Sequence, residues 1–265
     1  MTQKEREFVK TVRGFYRRHG RHSLPWRHTH DPYRILVSET MLQQTQVERV
    51  IPKYEAFIKK FPSERALARV SLGDVLRLWQ GLGYNRRARM LHEAAKQTKS
   101  VFPNTFEELQ KLPGVGRYTA GAVMAFAYNK PIVMIETNIR SVYLYHFFKN
   151  KDAVLDSDIL RIIERTLDQK NPREWYAALM DYGAHLKKEI GNQNVRSHHY
   201  KKQSAFKGSN REVRGAILRT LALGNYSEKK LIAMLEFDPL RTREQLAALV
   251  SEGLARKQGR TFRLP

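Results

Sequence analysis

Residues 112–119 read LPGVGRYT, and this stretch decides the fold. Glycines at 114 and 116 allow a tight turn between two helices, leaving backbone N–H groups that no side chain screens from a phosphate. Arg117 sets a cation beside them. A bare G-x-G in a helical protein usually marks a plain connection. Here a phosphate grip is favoured by the charge of the chain and by the helix-forming run that follows, which delivers downstream residues toward the same ligand.

The 265 residues carry 48 Lys and Arg against 26 Asp and Glu, a formal net charge of +22. That excess fits a polyanionic partner, with nucleic acid ahead of an anionic membrane. No stretch approaches the roughly 18 apolar residues of a membrane span. A soluble protein without a membrane partner is expected. The first twenty residues, MTQKEREFVKTVRGFYRRHG, have charges throughout and no apolar signal-peptide core, so they read as an amphipathic helix and a cytoplasmic, nucleoid-associated location follows. There is no cysteine, which excludes disulfides, cysteine nucleophiles and cysteine-ligated zinc or iron–sulfur centres.

Apolar spacing of three and four predicts helices over 47–61, 66–79, 86–102, 106–111, 119–128, 158–169 and 173–190. Pro25, Pro32, Pro62, Pro103, Pro113, Pro131 and Pro172 stand near their ends, and Ser71 and Asp158 are placed as N-caps. Strands are scarce, so the fold class is all-α. The stretch 191–210, GNQNVRSHHYKKQSAFKGSN, is polar and basic, as expected of a linker or a loop lying on a polyanion. Helical patterns over 211–223, 227–235 and 242–252 follow, then a hairpin about Gly259 and Arg260, which together predict a winged helix. The expected division is 1–205 and 206–265.

From Leu24 to Ala184 the chain resembles the helix-hairpin-helix DNA glycosylases, and within them the adenine glycosylases of the MutY type. The resemblance rests on LPWR, DPYRILVSETMLQQTQVERV, LWQGLGYNRRAR, LPGVGRYTAGAV, IETNIRSV and ALMDYGA, in family order. It implies two helical lobes, a six-helix one over about 31–136 and a second from 1–30 plus 137–205, with duplex DNA bearing a mispaired or damaged base held between them. A monomer is expected.

Cleaving a glycosidic bond to adenine needs an acid for the departing base and a carboxylate to steady the cationic sugar. The resemblance gives the first role to Glu39, with a pKa that burial must raise for work near neutral pH. Its bland alternative is an exposed first-turn helix residue. Glu136 occupies the position where the family carries an aspartate facing the sugar, and Asn138 the position that orients it. The extra methylene moves the carboxylate by ~1.5 Å, and a misplacement of about 1 Å costs on the order of a hundredfold in rate. The alternative for Glu136 is a helix cap. Tyr118 is implied to hydrogen-bond the site, and it stands where backbone-nicking relatives carry a Schiff-base lysine, so a monofunctional, hydrolytic enzyme is expected.

Gln44, Leu82 and Tyr84, with Thr45 beside them, match positions that wedge into the duplex and meet the orphaned base. Arg86 and Arg87, like Gly114, Gly116 and Arg117, are candidate phosphate contacts, although Leu82 alone reads as core. Trp26 and Arg27 match a segment near the base pocket, whereas Trp79 and Trp175 read as core. Most relatives hold an iron–sulfur cluster on four cysteines after the segment matching ALMDYGA; this chain has none, so no cofactor and no metal are expected. His198 and His199 lack a third ligand nearby and, with Arg196, Lys201 and Lys202, read as phosphate contacts. Residues 210–265 are too short and too helical to be the family's β-rich C-terminal domain, and a winged helix is expected there, with 242–252 as recognition-type helix and Arg256, Lys257, Arg260 and Arg263 as a basic wing, or as a partner-binding module. The leading function is removal of adenine opposite 8-oxoguanine or guanine in base excision repair. A mismatch thymine or uracil glycosylase, and a decayed DNA-binding protein without catalysis, are the alternatives.

Overall fold

The structure is a computed structural model that describes residues 1–98 and 101–265. In chain order its elements are α1 (Gln3–His19), α2 (Pro32–Leu42), α3 (Val47–Lys60), α4 (Glu64–Arg69), α5 (Leu72–Trp79), α6 (Arg86–Gln97), α7 (Phe106–Lys111), α8 (Arg117–Phe126), α9 (Thr137–Phe147), α10 (Asp156–Thr166), α11 (Pro172–Ile190), α12 (Asn210–Leu223), β1 (Tyr226–Ser227), α13 (Glu228–Met234), α14 (Pro239–Ser251), β2 (Arg256–Gln258) and β3 (Thr261–Arg263). The helix expected over 86–102 ends at Gln97, and part of that run lies outside the described residues. No described helix is long and apolar enough to cross a membrane.

The chain forms two compact units. The first contains Met1–Leu36, Pro103–Lys111 and Val115–Lys202. In α1, Thr2 Oγ1 accepts from the Glu5 amide at 3.2 Å while the Glu5 carboxylate accepts from the Thr2 amide at 2.8 Å, a reciprocal cap that fixes the helix start. Phe8, Val12 and Tyr16 then recur every fourth residue on one face and are buried. They join a core built mainly on α9, α10 and α11, where Phe8 meets Trp175 edge-on at 5.9 Å between ring centroids. At Gly183 of α11 an added Cβ would lie 2.3 Å from the Asn138 carbonyl oxygen of α9. Only glycine permits that approach, and it seats the first turn of α9 against α11.

The second unit contains Val37–Phe102, Leu112–Gly114 and Gln203–Pro265. Val50, Tyr54 and Phe57 of α3 and Val75, Leu76 and Trp79 of α5 supply its buried stripes. The run expected as one helix over 66–79 is two, because Ser71 Oγ accepts from the Asp74 amide at 3.1 Å and starts α5 afresh. Residues 210–265 run helix, strand, helix, helix, strand, strand, with sheet order β1-β3-β2, the winged-helix arrangement with one strand more than the sequence suggested. Tyr226 pairs with Phe262 and Ser227 with Thr261.

The division differs from the expected one at two places. The winged helix belongs to the same unit as α5: the Gly73 amide donates to the Pro265 carbonyl at 2.8 Å, and a Cβ on Gly73 would stand 2.6 Å from that oxygen. Conversely α7, α8 and the chain to 136, expected with the six-helix lobe, fall in the first unit, where α8 packs on α11. Two smaller expectations also change. Asp158 is not a cap; α10 starts at Asp156, whose carboxylate is gripped by Arg140 through two bonds of 2.7 Å. The presumed loop after Gly191 is partly docked: the Arg196 carbonyl accepts from Val154 at 3.0 Å, and the His198 amide donates to Val154 at 3.0 Å.

Candidate active site

In the first unit Gly116 is the N-cap of α8; it offers no side-chain cap, and nothing lies within 4 Å of where a Cβ would stand. Arg117, the first residue of α8, is exposed. Tyr118 follows, half-buried. Glu136 is the N-cap of α9: its Oε1 accepts from the Ile139 amide at 2.8 Å, and its Oε2 from Thr137 Oγ1 at 2.9 Å and Asn138 Nδ2 at 3.2 Å. The carboxylate is thus turned onto its own helix, which is the capping arrangement weighed above, and Asn138 touches it directly.

Trp26 is buried, in a short turn ahead of α2. Arg27 does not face an open pocket. Its two terminal nitrogens donate to both oxygens of Asp181 at 2.6 and 2.8 Å, and Arg21 joins the same carboxylate at 2.7 Å. Burial pushes the Asp181 pKa up, but the hydrogen bonds and charge of Arg27 outweigh it, with Arg21 helping, and the carboxyl is held below its ordinary value. Arg27 therefore ties the segment before α2 to α11, a role that required the fold to be seen. Arg196 is likewise turned inward, donating to the Phe148 and Lys149 carbonyls at 2.6 and 2.9 Å.

In the second unit Glu39 lies in the eighth of the eleven positions of α2 and is 6% exposed, neither in a first turn nor solvated. Just beyond, Gln44 has φ +54° and Tyr84 has φ +46°, left-handed conformations that cost non-glycine residues about 1–2 kcal/mol each. Gly81 and Gly83 share that region beside Tyr84, at +92° and +70°. Leu82 is buried at 4% exposure, so the side chain expected as a wedge does not project.

Arg87 departs furthest from expectation. One terminal nitrogen donates to the carbonyls of Thr40 (2.7 Å), Met41 (3.1 Å) and Gln43; the other to Thr45 Oγ1 (3.2 Å) and the carbonyls of Leu82 (3.2 Å) and Gly83 (3.3 Å). Burial lowers its pKa to about 10, still charged at neutrality. It is the clasp that locks the turn after α2 to the turn before α6, and no phosphate contact is left to it. Arg86, by contrast, is exposed. Gly114, at φ +77°, sits where a Cβ would come within 2.6 Å of Met90 Cβ, so glycine is required there for packing as well as for the turn.

Two residues of this cluster carry no motif. Gln203 Nε2 donates to Gln44 Oε1 at 2.9 Å and to the Tyr84 hydroxyl, and Arg211 donates to the same hydroxyl at 3.0 Å. In the sequence Gln203 was only a member of the polar, basic stretch 191–210 and Arg211 only the start of the helical pattern that follows it.

A family model described as "HhH-GPD superfamily base excision DNA repair protein" matches residues 37–173, just over half of the chain. The chain belongs to this superfamily. Among its relatives, the "Adenine DNA glycosylase" of Buchnera aphidicola subsp. Baizongia pistaciae is 38% identical over 182 residues, covering 67% of this chain and 52% of that protein. That of Mycolicibacterium smegmatis is 40% identical over 172 residues, covering 63% and 59%. The chain thus spans about half the length of the relatives it matches. A solved "thermostable thymine-DNA glycosylase" superposes with a TM-score of 0.64 at 26% identity, covering 72% of this superfamily member and 91% of that chain. An endonuclease III–DNA complex, at 20% identity and a TM-score of 0.54, shares the fold.

Proposed function

We propose that this superfamily member is a monofunctional DNA glycosylase of base excision repair that hydrolyses the N-glycosidic bond of adenine mispaired with 8-oxoguanine or guanine. The observation that carries the reading is Glu39, a carboxyl withdrawn from water in the middle of α2, within the residues the family model matches. An extruded adenine departs when its ring is protonated as the bond to the sugar breaks; Glu39 supplies that proton. Glu136, held still by three donors, balances the positive charge that develops on the sugar, and water then adds to the sugar carbon as its proton passes to the Glu39 carboxylate, restoring the acid. Tyr118 offers no amine for a Schiff base, so the DNA backbone is left uncut.

The exposed Gly116 and Arg117 at the start of α8 grip the phosphates. The protein works as a monomer, in the cytoplasm beside the nucleoid. The residues do not suit the iron–sulfur cluster of many relatives, because the chain has no cysteine to supply thiolates, and no step here runs through one. A thymine or uracil glycosylase is the second reading, favoured by the likeness to the thymine-DNA glycosylase. Relatives of higher identity, and an acid that a pyrimidine leaving group needs less, favour adenine. The test is a panel of duplexes carrying A, T, U, hypoxanthine or 8-oxoguanine in defined pairs, incubated with the protein and then cleaved with alkali. Strand breaks only at adenine opposite 8-oxoguanine or guanine are expected. Breaks only at T or U, or none at all, would overturn the reading.

A further inference from the structure

The second unit gathers four polar side chains from three stretches of chain. Gln44 comes from the turn after α2 and Tyr84 from the turn before α6; both are held in strained left-handed backbone, and Arg87 clasps the two turns together. Gln203 and Arg211 come from beyond the residues that the family model matches. Gln203 bridges Gln44 and Tyr84, and Arg211 meets the Tyr84 hydroxyl while its other terminal nitrogen donates to the Ser204 carbonyl at 2.6 Å. The Arg211 guanidinium also lies 5.9 Å from the centre of the Tyr84 ring and 6.0 Å from that of Phe206. Gln44 and Gln203 are exposed, and Gln203 Oε1 has no hydrogen-bond partner among the described residues. Backbone strain of this sort persists where surrounding structure over-determines it for a purpose. Gln203 and Arg211 converge on the Tyr84 hydroxyl, and the Gln203 carboxamide is open to a ligand from solvent.

We propose that Gln203 and Arg211 are specificity-determining residues that read the base opposite the excised one, selecting a purine oxidised on its five-membered ring. This rests on the glycosylase reading above, in which Gln44 and Tyr84 face the orphaned base. The chemistry discriminates. Guanine presents two acceptors, N7 and O6, on the edge away from its partner, and a guanidinium satisfies them well. Oxidation at C8 turns N7 into an N–H donor and adds a carbonyl oxygen. Gln203 Oε1 then accepts from N7–H, its Nε2 staying on Gln44 and Tyr84, while Arg211 donates to a carbonyl oxygen. An unoxidised guanine sets acceptor against acceptor at Gln203, and a pyrimidine leaves these groups without partners once bound DNA excludes water from them.

The test uses the full chain and duplexes carrying a tetrahydrofuran abasic analogue opposite 8-oxoguanine, guanine, cytosine or thymine, so that the reading of the opposite base is measured without base release. Equilibrium binding of the parent protein is compared with that of Gln203→Ala, Arg211→Ala and Arg211→Lys, with thermal midpoints to confirm folding; exposed Gln203 tolerates truncation even where Arg211 variants lose stability. The parent is expected to prefer 8-oxoguanine. Gln203→Ala should lower its preference over guanine by roughly tenfold, and Arg211→Ala its preference for purine over pyrimidine by a similar factor, with Arg211→Lys recovering part of it. A parent with no opposite-base preference, or a folded Gln203→Ala that keeps the parent's ratios within twofold, overturns the proposal, as does tighter binding to every duplex, which marks a strap that covers the site. Preserved opposite-base reading with release of a base other than adenine would instead sink the adenine reading and leave this one standing.

Discussion

Replacing Arg87 separates two incompatible pictures of one residue. Its position in GLGYNRRAR suggests a phosphate contact, whereas the structure has its two terminal nitrogens donating to five carbonyls and one hydroxyl of two turns. Four N–H groups on a charged donor, at about 1 kcal/mol net each, and the carbonyls left dry without them, give a loss of ~3–5 kcal/mol for Arg87→Met. Arg87→Lys keeps the charge but cannot fork across both turns, and about half that loss is expected. Urea unfolding measures this directly, with the m-value unchanged if the native fold is kept. Binding to an undamaged duplex across a range of salt is the complementary assay: each phosphate contact contributes about 0.9 to the slope of log K against log salt. The structure predicts an unchanged slope. A variant as stable as the parent within about 0.5 kcal/mol, whose slope is shallower by about 0.9, would refute the clasp and restore the phosphate contact.

Glu39→Gln should remove base release while leaving affinity for the mispaired duplex within a few-fold, read by single-turnover kinetics beside a binding titration. Glu136→Gln keeps an oxygen for the Ile139 amide but removes the charge, so the rate should fall at least a hundredfold with stability nearly unchanged; full activity on every scissile base tested would show the carboxylate to be a cap alone. Borohydride with abasic DNA should trap no covalent complex, and trapping abolished by changing one particular lysine would contradict hydrolysis without nicking. His146 is driven down to about 4 by burial, with Lys149 and Lys4 adding to it, and Nε2 lies 3.1 Å from the Tyr182 hydroxyl. Because the folded pKa is below the unfolded one, its stability contribution is present above about pH 6.5 and fades as pH falls toward 4, by at most about 1.4 kcal/mol per unit before solvent screening. His146→Gln should flatten that acid limb in denaturation measured at successive pH values.

Local signals carried the reading wherever local chemistry decides the outcome. The amphipathic first helix, the glycine turn at 114, the Ser71 cap of α5 and the hairpin at Gly259 all follow from neighbours within a few residues. Reading failed where distant chain decides. β1 has only two residues and exists because β3 pairs with it. One local signal was overridden too: Ser71, placed as an N-cap, does start α5, yet the apolar spacing through it gave one helix where there are two. At the site, residue types at motif positions were legible, and the structure places Asn138 on Glu136. What a side chain faces was not: an arginine in a basic run looks the same whether it meets a phosphate or, like Arg27 and Arg87, a buried carboxylate or a ring of carbonyls. Gln203 and Arg211 had no motif to announce them, because the turn residues they meet lie more than a hundred positions away.

The left-handed backbone at Gln44 bears on how this protein would respond to engineering for heat resistance. Glycine adopts that conformation without penalty, so Gln44→Gly is expected to gain about 1 kcal/mol. It would also delete the carboxamide to which Gln203 is bonded. Any screen that rewards survival on heating alone would be drawn to this position, and on the opposite-base reading proposed above it would return hardier variants that had stopped distinguishing one mismatch from another. Selections for robustness therefore need a fidelity readout run in parallel.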